Sequence, residues 1–140
     1  MDARPAVAAP PTIRREDYRP PDWLVPEIEL EFELDPARTV VRARLTVERN
    51  GDHRQPLRLD GDDLTPLSVR VDGMEVSTQM DGAALVVPIG TDRAVVETEV
   101  AIAPEKNSQL MGLYASGGLL CTQCEAEGFR RITFFPDRPD

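Results

Sequence analysis

The residues best suited to chemistry sit together late in the 140-residue sequence, in Cys121-Thr122-Gln123-Cys124-Glu125-Ala126-Glu127-Gly128-Phe129-Arg130. If Leu119 to Glu125 is extended, side chains alternate between faces, so Gln123 and Glu125 point the same way and Cys124 points the other. An amide and a carboxylate side by side could accept hydrogen bonds from a small cationic group, and no other stretch offers so specific a handle. Cys121 to Cys124 is also a C-x-x-C. A structural zinc site needs four ligands, whereas the chain holds two cysteines and one histidine, His53. A redox dithiol of the thioredoxin kind wants its first cysteine at a helix N-terminus after a parallel strand, a context this sequence lacks. On an extended segment the two thiols face opposite sides, so they are expected to stay reduced and to pack as small hydrophobes. Glu125 and Glu127 could act as general acid and base, but with 25 Asp and Glu in the chain their proximity carries little weight. There is no Gly-rich phosphate loop, no Ser/His/Asp arrangement and no H-E-x-x-H. His53, with no nucleophile near it, reads as a loop residue.

The elements that must position this stretch read as all-β. Residues 1–13 are Ala/Pro-rich without apolar periodicity, which predicts a disordered tail, and 14–140 read as one β-rich domain. Tyr18 to Pro26 carries three prolines and suits an extended segment along a sheet edge, with Trp23 and Tyr18 as packing anchors. In Glu27 to Leu34, glutamates alternate with Ile28, Leu30, Phe32 and Leu34, predicting a strand that buries its apolar row. Thr39 to Arg49 alternates in the same way, and Asp35-Pro36-Ala37-Arg38 between the two predicts a hairpin in which those glutamates meet Arg42 and Arg44. Short strands follow at Leu57 to Leu59, Leu67 to Val71, Met74 to Met80, Ala84 to Pro88 and Ala94 to Ile102. Asp60-Gly61, Asp72-Gly73, Asp81-Gly82 and Gly90-Thr91-Asp92 separate them, the spacing of a meander or sandwich. Pro104 to Leu110 reads as a polar loop, and Arg130 to Phe135 as a further strand. A net charge of −9 without a basic stripe argues against nucleic acid as a partner. No apolar run approaches the roughly eighteen residues of a membrane helix, and the N-terminus lacks the apolar core of a secretory signal, so no membrane is expected and the cytoplasm is the default compartment. Residue chemistry alone thus leaves an autonomous β-sandwich binding module open, and more remotely a C-x-x-C redox or zinc protein.

Gly112-Leu113-Tyr114, Cys121 to Thr133 and Asp137-Arg138-Pro139-Asp140 closely resemble the N-terminal domain of bacterial aminopeptidase N, a family of zinc metallo-aminopeptidases of the gluzincin class. Weaker echoes run through Tyr18 to Asp22, Ile28 to Val47 and Pro56 to Leu64. The resemblance implies an antiparallel, saddle- or sandwich-like sheet, incomplete at its C-terminal end, whose Thr-Gln-Cys-Glu strand reaches into a catalytic centre built by the following domain of the same polypeptide. Carried over, it implies that Glu125 binds the free α-amino group of a peptide substrate. Gln123 would then line the pocket for the first side chain and contact the substrate backbone. It further implies zinc in the complete enzyme, with the H-E-x-x-H helix, the G-A-M-E-N loop and the oxyanion tyrosine all beyond Asp140. On this reading the chain is a truncated, non-catalytic piece that contributes specificity. Pro136 departs from the family, standing where a leucine is expected after the aromatic pair.

Overall fold

The computed structural model describes residues 20–124 and 128–138. The tail expected over residues 1–13 lies outside them. Ten strands run in chain order: β1 Trp23–Glu33, β2 Thr39–Arg49, β3 Leu57–Asp60, β4 Thr65–Val71, β5 Met74–Glu75, β6 Gln79–Asp81, β7 Ala84–Val87, β8 Arg93–Ile102, β9 Gly112–Ser116 and β10 Leu119–Gln123. Two single 3-10 turns, Pro104–Lys106 and Phe129–Arg131, are the helical elements among the described residues. All pairings are antiparallel and form a five-stranded sheet (β1-β2-β8-β4-β5), a three-stranded sheet (β3-β7-β6) and a ribbon (β9-β10). The all-β expectation therefore holds.

Sequence alternation fixes which face each strand buries. Val41, Ala43, Leu45 and Val47 of β2 are buried, and register sets them beside Val100, Val96 and Ala94 of β8. This row joins Leu57 and Leu59 of β3, Leu85 and Val87 of β7, and Leu113, Ile132 and Phe134 in one core. Short β3 and β7 thus supply the layer opposite the long sheet. On the outer face, register lays Glu29, Arg44, Glu97, Arg70 and Glu75 in one row across the strands, and Glu31, Arg42 and Glu99 in the next. Arg42 lies 3.5 Å from Glu31, 3.3 Å from Glu33 and 3.5 Å from Glu99. Hydrogen bonding to Glu33, then the charges of Glu33, Glu99 and Glu31, push its guanidinium above its ordinary range. The expected meeting of β1 glutamates with Arg42 and Arg44 is therefore present in the register, and side-chain contacts to Arg42 accompany it.

Three expectations are corrected. The apolar row Ile28, Leu30, Phe32 and Leu34 is only partly buried: Leu30 is half-buried and packs against the core, whereas Ile28, Phe32 and Leu34 are 36%, 39% and 61% exposed. β1 is the outermost strand of the five-stranded sheet and meets the core through Trp23, Val25 and Leu30. Met74 to Met80 is two strands in different sheets, β5 closing a hairpin on β4 while β6 crosses to β7. Finally, Arg130 to Phe135 is not a strand. Phe129–Arg131 forms a 3-10 turn, Ile132, Thr133 and Phe134 are buried in succession rather than alternately, and Phe135 alone bridges to Asp60.

Arg49 ties the loops at one end. Its side chain is 5% exposed and lies 4.6 Å over the ring of Trp23. It donates to the carbonyls of His53 (2.7 Å), Ile89 (3.1 Å) and Thr91 (3.2 Å) and pairs with Asp92. His53 is a loop residue here, its Nδ1 accepting from the Gln55 amide at 3.1 Å while its Nε2 meets the Asp22 carbonyl at 2.7 Å.

Candidate functional site

The Gln123 stretch is carried by the β9-β10 ribbon. Its turn, Gly117-Gly118, has φ of +57° and +81°, the left-handed pair that a two-residue hairpin turn requires and that glycine adopts without strain. Residues directly opposed in the ribbon share a face. Leu120 opposes Ala115 and Thr122 opposes Leu113, which puts Leu113 and Leu120 against the core. The other face carries Leu119, Cys121 and Gln123 of β10, opposite Ser116, Tyr114 and Gly112 of β9. Gln123 and Leu119 are exposed there, and Cys121 and Tyr114 half-buried.

Gln123 ends β10. Glu125, together with Glu127, lies outside the described residues. Cys124 turns inward and packs against the core, so the two free thiols diverge as the alternation predicts. Burial first, and then the charge of Asp137, push the Cys124 thiol above its ordinary range. Diverging thiols do not converge on one ion. Among the described residues no group of three or more His, Cys, Asp and Glu side chains is placed to hold a metal.

Gly128 lies against the end of β10. Its amide donates to the Cys124 carbonyl at 2.8 Å. A side chain at Gly128 would meet the main chain of residues 123 and 124: a Cβ would stand 2.7 Å from the Gln123 carbonyl oxygen and 2.9 Å from the Cys124 Cα. The segment beyond is fastened to the β3-β4 loop. Main-chain bonds run from Asp60 N to Phe135 O (2.9 Å), from Phe135 N to Asp60 O (3.2 Å) and from Asp62 N to Arg130 O (2.9 Å). Asp137 N donates to the Asp60 carboxylate at 3.1 Å. Arg130 pairs with Asp137 at 3.2 Å, and Arg131 with Asp62 at 2.7 Å and Asp63 at 3.5 Å. The ring of Phe134 fills the space where Gly61 lacks a side chain.

Sequence reasoning assigned no role to Gly128, Arg131, Asp62 or Asp63. The one signal present was Gly61-Asp62-Asp63 following a strand and Gly128 preceding two arginines, and neither names its partner. A broad, shallow concavity lies elsewhere, over the outer charged rows from Glu29 and Arg44 to Arg70 and Glu97. Among the described residues no helix is long and apolar enough to cross a membrane.

No protein-family model matches the chain. Curated relatives do. An aminopeptidase N of Caulobacter vibrioides is 46% identical over 134 residues, which is 94% of this chain and 16% of that protein. An aminopeptidase N of Escherichia coli is 45% identical over 127 residues, 90% of this chain and 15% of that protein. Among solved structures, the Legionella pneumophila aminopeptidase A crystallised with aspartic acid superposes with a TM-score of 0.81 at 29% identity, over 89% of this chain and 15% of that one. The M1 zinc metallopeptidase of Deinococcus radiodurans shares the fold, with a TM-score of 0.69 at 19% identity, over 84% of this chain and 30% of that one. The chain spans about a sixth of the length of the curated relatives it matches, and over nine tenths of its own length it is a homologue of that portion of bacterial aminopeptidase N, with the all-β fold of the N-terminal domain of M1 aminopeptidases.

Proposed function

We propose that this chain is the substrate-recognition part of a zinc metallo-aminopeptidase that releases N-terminal residues from peptides. Gln123 and Glu125 grip the free end of the substrate, and the catalytic domain of the same polypeptide performs the cleavage. The observation that carries this reading is Gln123, exposed on the outer face at the very end of β10. Immediately beyond it the Cys124 carbonyl accepts from the Gly128 amide at 2.8 Å.

An exposed peptide N-terminus is a compact cation. A carboxylate at the end of a closed pocket selects it over an internal peptide bond, because the latter brings no charge to compensate burial of the acid. A hydrogen bond between charged partners contributes about 1.5–3 kcal/mol, roughly ten- to a hundredfold in affinity. Gln123, with an amide that both donates and accepts, suits the peptide backbone and first side chain. Zinc supplies a polarised water in metallopeptidases, and its ligands in the complete enzyme lie outside this chain. This chain's own contribution is register: it sets which bond is presented.

In the full-length polypeptide, Glu125→Gln should raise KM for an aminoacyl-anilide by about ten- to a hundredfold and leave kcat much less changed. Unaltered kcat/KM on dipeptides would remove the assigned role. The 140-residue chain alone, supplied with zinc and the same anilide, should give no turnover above background, and stoichiometric zinc-dependent activity would overturn the division of labour.

A further inference from the structure

We propose that Asn50 is a site of spontaneous covalent modification: its side-chain amide condenses with the main-chain nitrogen of Gly51, and the carboxylate that results releases the start of β1. The chain holds two asparagines, Asn50 followed by Gly51 and Asn107 followed by Ser108. Ring closure onto an asparagine needs the next main-chain nitrogen to reach the side-chain carbonyl carbon, and a glycine there puts no side chain in the way. Gly51 is exposed, at φ +94°, and a Cβ built on it would have no atom within 4 Å. Its amide makes no hydrogen bond among the described residues, so no partner must be given up before that nitrogen attacks. Asn107 is the opposite case. Its Nδ2 donates to the carbonyls of Met111 at 2.6 Å and Leu113 at 3.0 Å, its Oδ1 accepts from the Gln109 amide at 3.2 Å, and Ser108 brings a side chain.

Water is the one co-reactant. A base in the solvent takes the Gly51 N–H proton, and the nitrogen attacks Cγ of Asn50. The bond from Cγ to Nδ2 breaks, and ammonia leaves with a proton returned from solvent, giving a five-membered imide. Water then opens the ring at one of its two carbonyls. One opening restores the main chain with aspartate at position 50, and the other routes the main chain through the side chain as isoaspartate. Either product lacks a donor that the fold uses. Asn50 Nδ2 donates to the Pro21 carbonyl at 2.8 Å, and the Asn50 amide donates to the Asp22 carbonyl at 2.8 Å. Together with His53 Nε2 on the Asp22 carbonyl at 2.7 Å and Trp23 Nε1 on the Gln55 carbonyl at 3.2 Å, these bonds clasp residues 21–23 against the 50–55 loop. A carboxylate in place of the amide sets acceptor against acceptor at Pro21 and leaves both unpaired. Isoaspartate also lengthens the main chain by one carbon beside Arg49, the register partner of Trp23.

The full-length polypeptide, aged at mildly alkaline pH and then cut after its lysines and arginines, tests this independently of the recognition reading. The peptide from Asn50 to Arg54 should gain the mass difference between an amide and a carboxylic acid, faster as pH rises, while the peptide that begins at Asn107 stays unchanged. Asn50→Gln, whose ring would need a sixth member, should gain nothing over the same time. Amide exchange over 22–24 should be faster by about fivefold or more in the aged protein and in fresh Asn50→Asp. Exchange in β8 should not change, and aged Asn50→Gln should exchange as it did when fresh. No gain of mass at Asn50, or an equal gain at Asn107, overturns the proposal. A modified chain whose exchange over 22–24 matches that of the unmodified protein overturns it too, because the clasp would then not depend on the amide. Faster exchange in β8 as well would show general loosening on ageing and refute a release confined to the start of β1.

Discussion

Replacing Gly128 by alanine adds one methyl group where the structure has no room for it. The new Cβ would stand 2.7 Å from the Gln123 carbonyl oxygen, 2.9 Å from the Cys124 Cα and 3.1 Å from the Cys124 carbonyl carbon. All three are main-chain atoms, so no side chain can swing aside and Gly128 must move away from residues 123 and 124. Overpacking costs about 1–3 kcal/mol, and that movement also loses the Gly128 to Cys124 hydrogen bond, about 1 kcal/mol. The sum, about 2–4 kcal/mol, is a large part of the roughly 5–15 kcal/mol that holds a domain of this size together. It should lower the Tm by about 10 °C, read from far-ultraviolet circular dichroism. Gly90→Ala is the matched control. A methyl group on Gly90 would have no atom within 4 Å of it, and Gly90 has no positive φ, so its substitution should be neutral or stabilise by about 0.4–1 kcal/mol through the unfolded chain. If the two variants melt together, the steric argument for Gly128 is wrong, and with it the claim that this glycine is what lets the chain lie against the end of β10.

Thiol chemistry gives a second test. With its thiol pushed up by burial and by Asp137, Cys124 carries less thiolate at mildly alkaline pH, so the Cys121→Ser variant should react with a disulfide reagent more slowly than Cys124→Ser. Raising the pH should narrow the gap, and equal rates at every pH would refute the assigned environments. At the other end of the molecule, Arg49→Met strips three loop carbonyls of their donor and should cost about 3 kcal/mol or more. A urea titration followed by the fluorescence of Trp23, the only tryptophan, reads this, and an unmoved midpoint would show that water replaces the guanidinium without loss.

Much of the scaffold is legible because its strands alternate. Val41, Ala43, Leu45 and Val47 announce a half-buried strand by period alone, and Asp72-Gly73, with φ of +50° and +82°, announces its hairpin turn by residue type. What a strand faces is not written in its own residues. The row Ile28, Leu30, Phe32 and Leu34 has the same period as the row of β2, yet on this outermost strand only Leu30 packs against the core and the other three are exposed. Arg130 to Phe135 departs from expectation for a related reason. Its burial comes from partners near Asp60, more than sixty residues away, which impose a 3-10 turn on a stretch whose composition suits a strand. At the site, alternation correctly set Gln123 on the outer face and Cys124 within. Glu125 comes from the resemblance, and the grip of Asp62 and Asp63 on Arg131 could not be read locally at all, because charge carries no address.

The fastening of the last segment to the β3-β4 loop has a temporal consequence. Arg131 meets Asp62 across 69 residues and Asp137 meets Asp60 across 77, so these bonds must overcome the closure entropy of long loops, whereas the hairpins zip locally. In chain order the eight strands of the two sheets precede the ribbon, its anchor and the core residues Ile132 and Phe134. The core is therefore not filled, and the surface that bears Gln123 not fixed, until this last segment docks.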